Sequence, residues 1–256
     1  MTLCLYRIDG VDVQLDGEQG TRLVLQDITF DIRAGEIVAI VGRSGVGKST
    51  LLRALSGLVE ICRGTMEFEA RAVKGPPAGA VMVFQDYDNA LLPWRTVGRN
   101  VELGLEGRIS RKARHSVAAC ALEMVKLGDR ADDYPRRLSG GMAQRVQIAR
   151  ALAIEPTVLL MDEPFGALDA MTKASLQDVL LDVQRRTGAT IVFVTHDLDE
   201  AIYLSNRVIV LEGNPGSIVL MADVELPRAR DQVTTRELPA FLAVRHLIGE
   251  RLRGGE

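Results

Sequence analysis

The run Gly42–Ser49, GRSGVGKS, constrains this chain more than any other feature, because it fits GxxxxGK[ST] in full. An apolar run from Glu36 to Val41 precedes it, and KSTLLRALSGL, with leucines at helical spacing, follows. The local reading is a buried strand, a glycine-rich turn and a helix. Glycines let backbone N–H groups turn inward around phosphate oxygens, and the helix N-terminus adds a favourable field for an anion. Gly42, Arg43, Ser44, Gly45, Val46, Gly47, Lys48, Ser49 and Thr50 are therefore candidates to cradle a nucleoside triphosphate. Lys48 would reach the β and γ phosphates, and the Ser49 hydroxyl would be offered to Mg2+. An ordinary strand-to-helix turn is the competing reading, and the flanking elements favour the phosphate site.

Two more motifs follow downstream. TVLLMDEP, residues 157–164, is an apolar strand that delivers two adjacent carboxylates at its end. Successive residues there point in different directions, which suits Asp162 to Mg2+ and Glu163 to polarising an attacking water. LSGGMAQR, residues 138–145, places Ser139, Gly140 and Gly141 at the start of a helix, a second anion-binding terminus in a chain that already has one. A surface acidic pair and a plain N-cap are the alternatives to these two readings.

The rest of the chain reads as one α/β unit. The first 35 residues alternate apolar and polar positions around Gly and Asp, as antiparallel strands joined by turns do. A polar, proline-containing stretch over 62–80 separates the first strand–loop–helix unit from a short strand, VMVFQ. Ser110 caps a helix expected to end at Gly128, and a second helix begins near Ser139, giving a helical subdomain over about 90–150. TVLLMD and TIVFVT read as buried parallel strands, with Gly188 capping the helix before the second, and a short tail from about residue 222 ends in an amphipathic helix. Lys and Arg number 31 against 34 Asp and Glu, a balance that argues against nucleic acid as the partner. No leader is evident, and nowhere do about 18 apolar residues run unbroken, so the chain should neither cross nor leave through a membrane. Cys4, Cys62 and Cys120 form no CxxC pair and read as reduced thiols packed in the core.

LSGG upstream of an apolar strand ending in DE resembles the signature of the ABC transporter ATPases, and the resemblance extends over nearly the whole chain. The implied fold is an α/β P-loop nucleotide-binding domain over 1–256, with a mixed core sheet, helices on both faces, an N-terminal antiparallel β part and a helical subdomain bearing the signature. The resemblance also implies that two cassettes sandwich two ATP with Mg2+, the signature of one closing over the γ-phosphate held by the other. Gln85 in VFQ resembles the glutamine that joins the metal and water shell and senses the membrane domain. Asp169 in GALDA resembles the aspartate linking the two sites, and His196 in VTHD the histidine that contacts the γ-phosphate. Taken singly, Gln85 reads as a polar strand end and His196 as a satisfied buried histidine.

NALLPWRTVGRNVELGLEG, residues 89–107, resembles the corresponding stretch in importers of nitrate, sulfonates and taurine. The implied partners are a second cassette, integral membrane permease subunits and, indirectly, an extracytoplasmic solute-binding protein, with the chain peripheral at the cytoplasmic face of the membrane. Trp94, the only tryptophan, would belong to the permease contact, the alternative being that it packs under the helical subdomain. A soluble ABC ATPase acting on DNA or ribosomes, and a P-loop small-molecule kinase, are the rivals. Met142 stands where many signatures have Gln, as it commonly does in the importer branch. Leu15 falls about where the family places an aromatic that stacks on adenine, so the triphosphate must supply most of the binding energy and GTP should serve within about tenfold of ATP. Tyr6 is the nearest alternative stacker.

Overall fold

The computed structural model describes residues 3–17, 20–85, 90–166 and 168–253. Ten strands form one sheet: β1 (Cys4–Gly17), β2 (Gly20–Arg33), β3 (Ile37–Gly42), β4 (Arg63–Phe68), β5 (Arg71–Ala72), β6 (Ala80–Val83), β7 (Val158–Asp162), β8 (Thr190–Val194), β9 (Arg207–Gly213) and β10 (Gly216–Asp223). Their spatial order is β5-β4-β1-β2-β10-β9-β3-β8-β7-β6. β9, β3, β8, β7 and β6 run parallel to one another, whereas β1 pairs antiparallel with β2 and β4. The mixed sheet and its antiparallel N-terminal part are as the residues imply. β3, β7 and β8 are buried on both faces, which is why they read as continuous apolar runs instead of alternating ones.

The helices are α1 (Lys48–Leu55), α2 (Val97–Val101), α3 (Arg111–Met124), α4 (Gly140–Leu152), α5 (Ala170–Thr187), α6 (Leu198–Leu204) and α7 (Pro239–Arg253). Along β3 the side chains alternate between two cores. Val38 and Ile40 join Leu51, Leu52 and Leu55 of α1 and the inner residues of β1, β2 and β4, so the sheet curls around α1. Ile37, Ala39 and Val41 face the opposite core, built with α3 to α7. Among the described residues no helix is long and apolar enough to cross a membrane.

Helix starts follow local capping chemistry. Ser110, Ser139 and Asp169 each accept from backbone N–H groups of the first turn, at Ala113, Met142 and Met171 with Thr172. Gly188 ends α5 in the left-handed conformation, at φ 66°.

Three expectations need correction. The stretch over 62–80 holds β4 and β5; β5 is the sheet's edge strand, and β4, between β5 and β1, buries only Met66 and Phe68. α3 ends at Met124, four residues before Gly128, and the left-handed residue after it is Lys126, at φ 60°. All three cysteines are exposed instead of packed in the core. Cys4 and Cys62 sit on the outward side of strand and loop, where Sγ meets the carbonyls of Tyr6 and Asp12.

Candidate functional site

Adjacent parallel strands deliver the candidate residues to one end of the sheet. β3 leads into Lys48 and Ser49, β6 into Gln85, β7 into Asp162 and Glu163, and β8 into His196. Ligand sites in open α/β sheets form at the carboxyl ends of strands, because the loops there can vary while the sheet holds them in place.

The turn after β3 becomes helix at Gly47, whose φ of 104° only glycine adopts without strain. Val46 turns its side chain into the core, so it can offer a ligand only its backbone. Arg43 turns away, its Nη2 donating to the Leu252 carbonyl near the end of α7 at 3.0 Å. Lys48 is 6% exposed, and its Nζ donates to the carbonyls of Gly42 (2.9 Å) and Arg43 (3.1 Å). Burial draws its pKa below the ordinary lysine value, against the opposing pull of Glu163 and Asp162. Ser44, Gly45, Gly47, Lys48, Ser49 and Thr50 together line a cavity of about 320 Å3, with Leu15 and Glu163 also in its wall.

Ser49 Oγ donates to Asp162 Oδ1 at 2.8 Å, and burial raises the Asp162 carboxyl above the usual range, which the Ser49 bond partly offsets. Glu163 has φ 44°, a left-handed conformation uncommon outside glycine. This turn separates the directions of the two carboxylates. Glu163 Oε2 accepts from Gln85 Nε2 at 3.4 Å and stands 3.4 Å from His196 Nδ1. The His196 side chain is 63% exposed, so the buried-histidine reading fails.

Ser139, Gly140 and Gly141 do not line this cavity. They start α4, and a Cβ at Gly141 would come within 2.1 Å of Thr172 Cγ2, so α4 and the Asp169-capped helix α5 meet at their N-termini. Hydrogen bonds from Thr172 hold the Asp169 carboxyl below its usual range. Ala167 of GALDA and Asn89 lie outside the described residues.

A model of the ABC transporter family matches residues 25–166. The chain belongs to that family. The nitrate import ATP-binding protein NrtD of Synechocystis sp. is 45% identical over 247 residues, covering 94% of this ABC protein and 92% of that one. The aliphatic sulfonates import ATP-binding protein SsuB of Bacillus licheniformis is 43% identical over 88% of this chain and 85% of its own. A solved ATP-binding cassette, dimeric in a post-hydrolysis state bound to ADP and Pi, is 31% identical with a TM-score of 0.74, covering 86% of this chain and 99% of that one. Like its family, this ABC cassette is an ATP-binding ATPase.

Tyr6 cannot reach a base in this ABC cassette: it is fully buried, with its hydroxyl donating to the Leu55 carbonyl at 2.8 Å. Two polar residues in the cavity wall, Arg22 and Asn214, were not candidates from the sequence. Neither lies in a motif, and they are 192 positions apart.

Proposed function

We propose that this chain is the ATP-hydrolysing subunit of an ABC importer for a small solute of the nitrate, sulfonate or taurine type. Two copies, or this chain and a similar cassette, close around two ATP at the cytoplasmic face of the membrane and drive integral permease subunits. An extracytoplasmic binding protein would supply the solute to those subunits.

The observation that carries the reading is the position of Glu163 Oε2, 3.4 Å from both Gln85 Nε2 and His196 Nδ1, beside the loop that bears Lys48 and Ser49. In this arrangement Glu163 orients the attacking water, His196 contacts the γ-phosphate and Lys48 neutralises β and γ oxygens. The donor set suits Mg2+: a hydroxyl at Ser49, one carboxylate at Asp162 and an amide at Gln85 are hard oxygen ligands. Among the described residues no group of three His, Cys, Asp or Glu forms a cage, as befits an ion that takes its remaining ligands from phosphate and water. When bound, the ion spreads the charge that develops on the phosphates. Ser139, Gly140 and Gly141 lie outside their own chain's cavity, which favours their serving the ATP of a second copy, with Asp169 linking the two sites.

A rigid, apolar projection favours a membrane partner. Asn100 is fully buried; its Nδ2 donates to the carbonyls of Leu92, Arg95 and Thr96, and its Oδ1 accepts from Leu92 N. The loop so held leaves Trp94 72% exposed, which removes the core-packing alternative. Trp94→Ala should leave the ATPase of the isolated subunit within about twofold of wild type and weaken assembly with the permease, since truncating a central aromatic anchor typically costs about 2 kcal/mol or more. Undiminished assembly of a folded variant would remove Trp94 from the contact. The whole reading is tested by affinity purification of the tagged chain from solubilised membranes. An integral membrane protein should come with it, and recovery with DNA or ribosomes alone would overturn the transport reading.

A further inference from the structure

Leu15 and Arg22 are direct cross-strand partners in the β1–β2 hairpin, so their side chains stand on the same face. Both line the cavity above the phosphate loop, as does Asn214 in the turn between β9 and β10. Arg22 Nη2 donates to Asn214 Oδ1 at 2.5 Å, joining two hairpins distant in sequence. Both hairpins are seated hard against the loop. A Cβ at Gly47 would fall 2.7 Å from Leu25 Cδ2 of β2, and one at Gly216 of β10 only 2.1 Å from the Val46 carbonyl oxygen. The guanidinium is therefore held by a fixed partner, on a hairpin packed against the loop. Among the described residues no aromatic side chain lines the cavity.

We propose that Arg22 is the nucleobase platform of this cassette, with Asn214 fixing the plane of its guanidinium and Leu15 supplying an apolar wall. The inference rests on the reading of Gly42–Ser49 as the triphosphate site. A planar, weakly hydrated guanidinium stacks on π-faces, which a lysine ammonium cannot imitate. Every base has a π-face, so such a platform adds affinity without selecting adenine over guanine. The same cation could instead act on phosphate oxygens, and the two roles respond differently once the base is removed from the ligand.

The test is equilibrium binding of ATP, GTP and inorganic tripolyphosphate, each with Mg2+, to the full chain and its Arg22→Ala, Arg22→Lys and Leu15→Tyr variants. Circular dichroism checks that each is folded. Wild type should bind ATP and GTP within about tenfold of each other. Arg22→Ala should weaken both nucleotides about 3- to 30-fold, the range expected of a stacked cation, and leave tripolyphosphate unchanged. Arg22→Lys should restore little, and Leu15→Tyr should tighten both nucleotides. Equal weakening of tripolyphosphate by Arg22→Ala would make Arg22 a phosphate ligand and overturn the platform. So would unaltered ATP binding, or a strong preference for ATP that survives the substitution. If wild type binds none of the three, the reading of the phosphate loop fails first, and the platform with it.

Discussion

Glu163→Gln binds Mg-ATP with wild-type affinity and hydrolyses it roughly 10²- to 10⁴-fold more slowly, the range for loss of a positioned general base. The substitution keeps the shape of the side chain, and an amide oxygen can still accept from Gln85, whose Nε2 lies 3.4 Å from Glu163 Oε2. What disappears is the carboxylate to which we assign the proton drawn from water. The backbone at this position already sits at φ 44°, so a residue of the same branching adds no new strain. Because the stalled state retains ATP, the variant should also run as a dimer on gel filtration with Mg-ATP and as a smaller species without it. Phosphate release measured under single-turnover conditions is the deciding readout. A rate within a few-fold of wild type would show that Glu163 is not the group that orients water.

Lys48→Ala gives the complementary phenotype, losing the ligand before any chemistry. Its ammonium is nearly enclosed and is held by the Gly42 and Arg43 carbonyls, 2.9 and 3.1 Å away, poised at the rim of the loop. A hydrogen bond to a charged group is worth about 1.5–3 kcal/mol, so two bonds to phosphate oxygens correspond to a loss in affinity of about 10²- to 10⁴-fold. Thermal melts separate the two variants. Ligand at 100 times Kd stabilises the folded state by about 2.7 kcal/mol, so saturating Mg-ATP should raise the Tm of Glu163→Gln and leave that of Lys48→Ala unmoved. Lys48→Met, which retains most of the apolar stem, guards against a trivial loss of packing. Wild-type affinity in a folded Lys48 variant would remove this residue from the phosphate site.

The parts of the site that were legible in advance are those written in short stretches of chain. The strand, glycine turn and helix around Gly42–Ser49 occupy contiguous residues, and the acidic pair Asp162–Glu163 is placed by one buried strand. Ser110 and Ser139 are caps that bond to N–H groups only three residues on, and Gly188 ends α5 through its own backbone freedom. Each of these signals needs only a turn or two of chain to be satisfied, so it survives translation from sequence to structure. The β4–β5 segment did not, because its pairing with β1 is long-range and β4 turns only Met66 and Phe68 inward, too short an alternation to stand out among its polar and glycine residues.

Sidedness was likewise invisible. Whether Cys4 faces solvent while its neighbours Leu5 and Tyr6 are buried depends on how β1 lies between β2 and β4, and so does the burial that removes Tyr6 from any base contact. The sequence by itself determined the strand, glycine turn and helix around Gly42–Ser49, the acidic strand end, the helix start at Ser139 and the family to which they belong, since each is carried by residues within one hydrogen-bonded turn or strand. Only the tertiary structure decided that Glu163 Oε2 falls between Gln85 and His196, that Asn100 holds Trp94 out in solvent, and that Arg22 meets Asn214 over the loop. Apart from the Asn100 loop, these meetings join strand ends and hairpins far apart along the chain, and their distances are set by sheet order and by the close seating of strands on glycine, which no local pattern encodes.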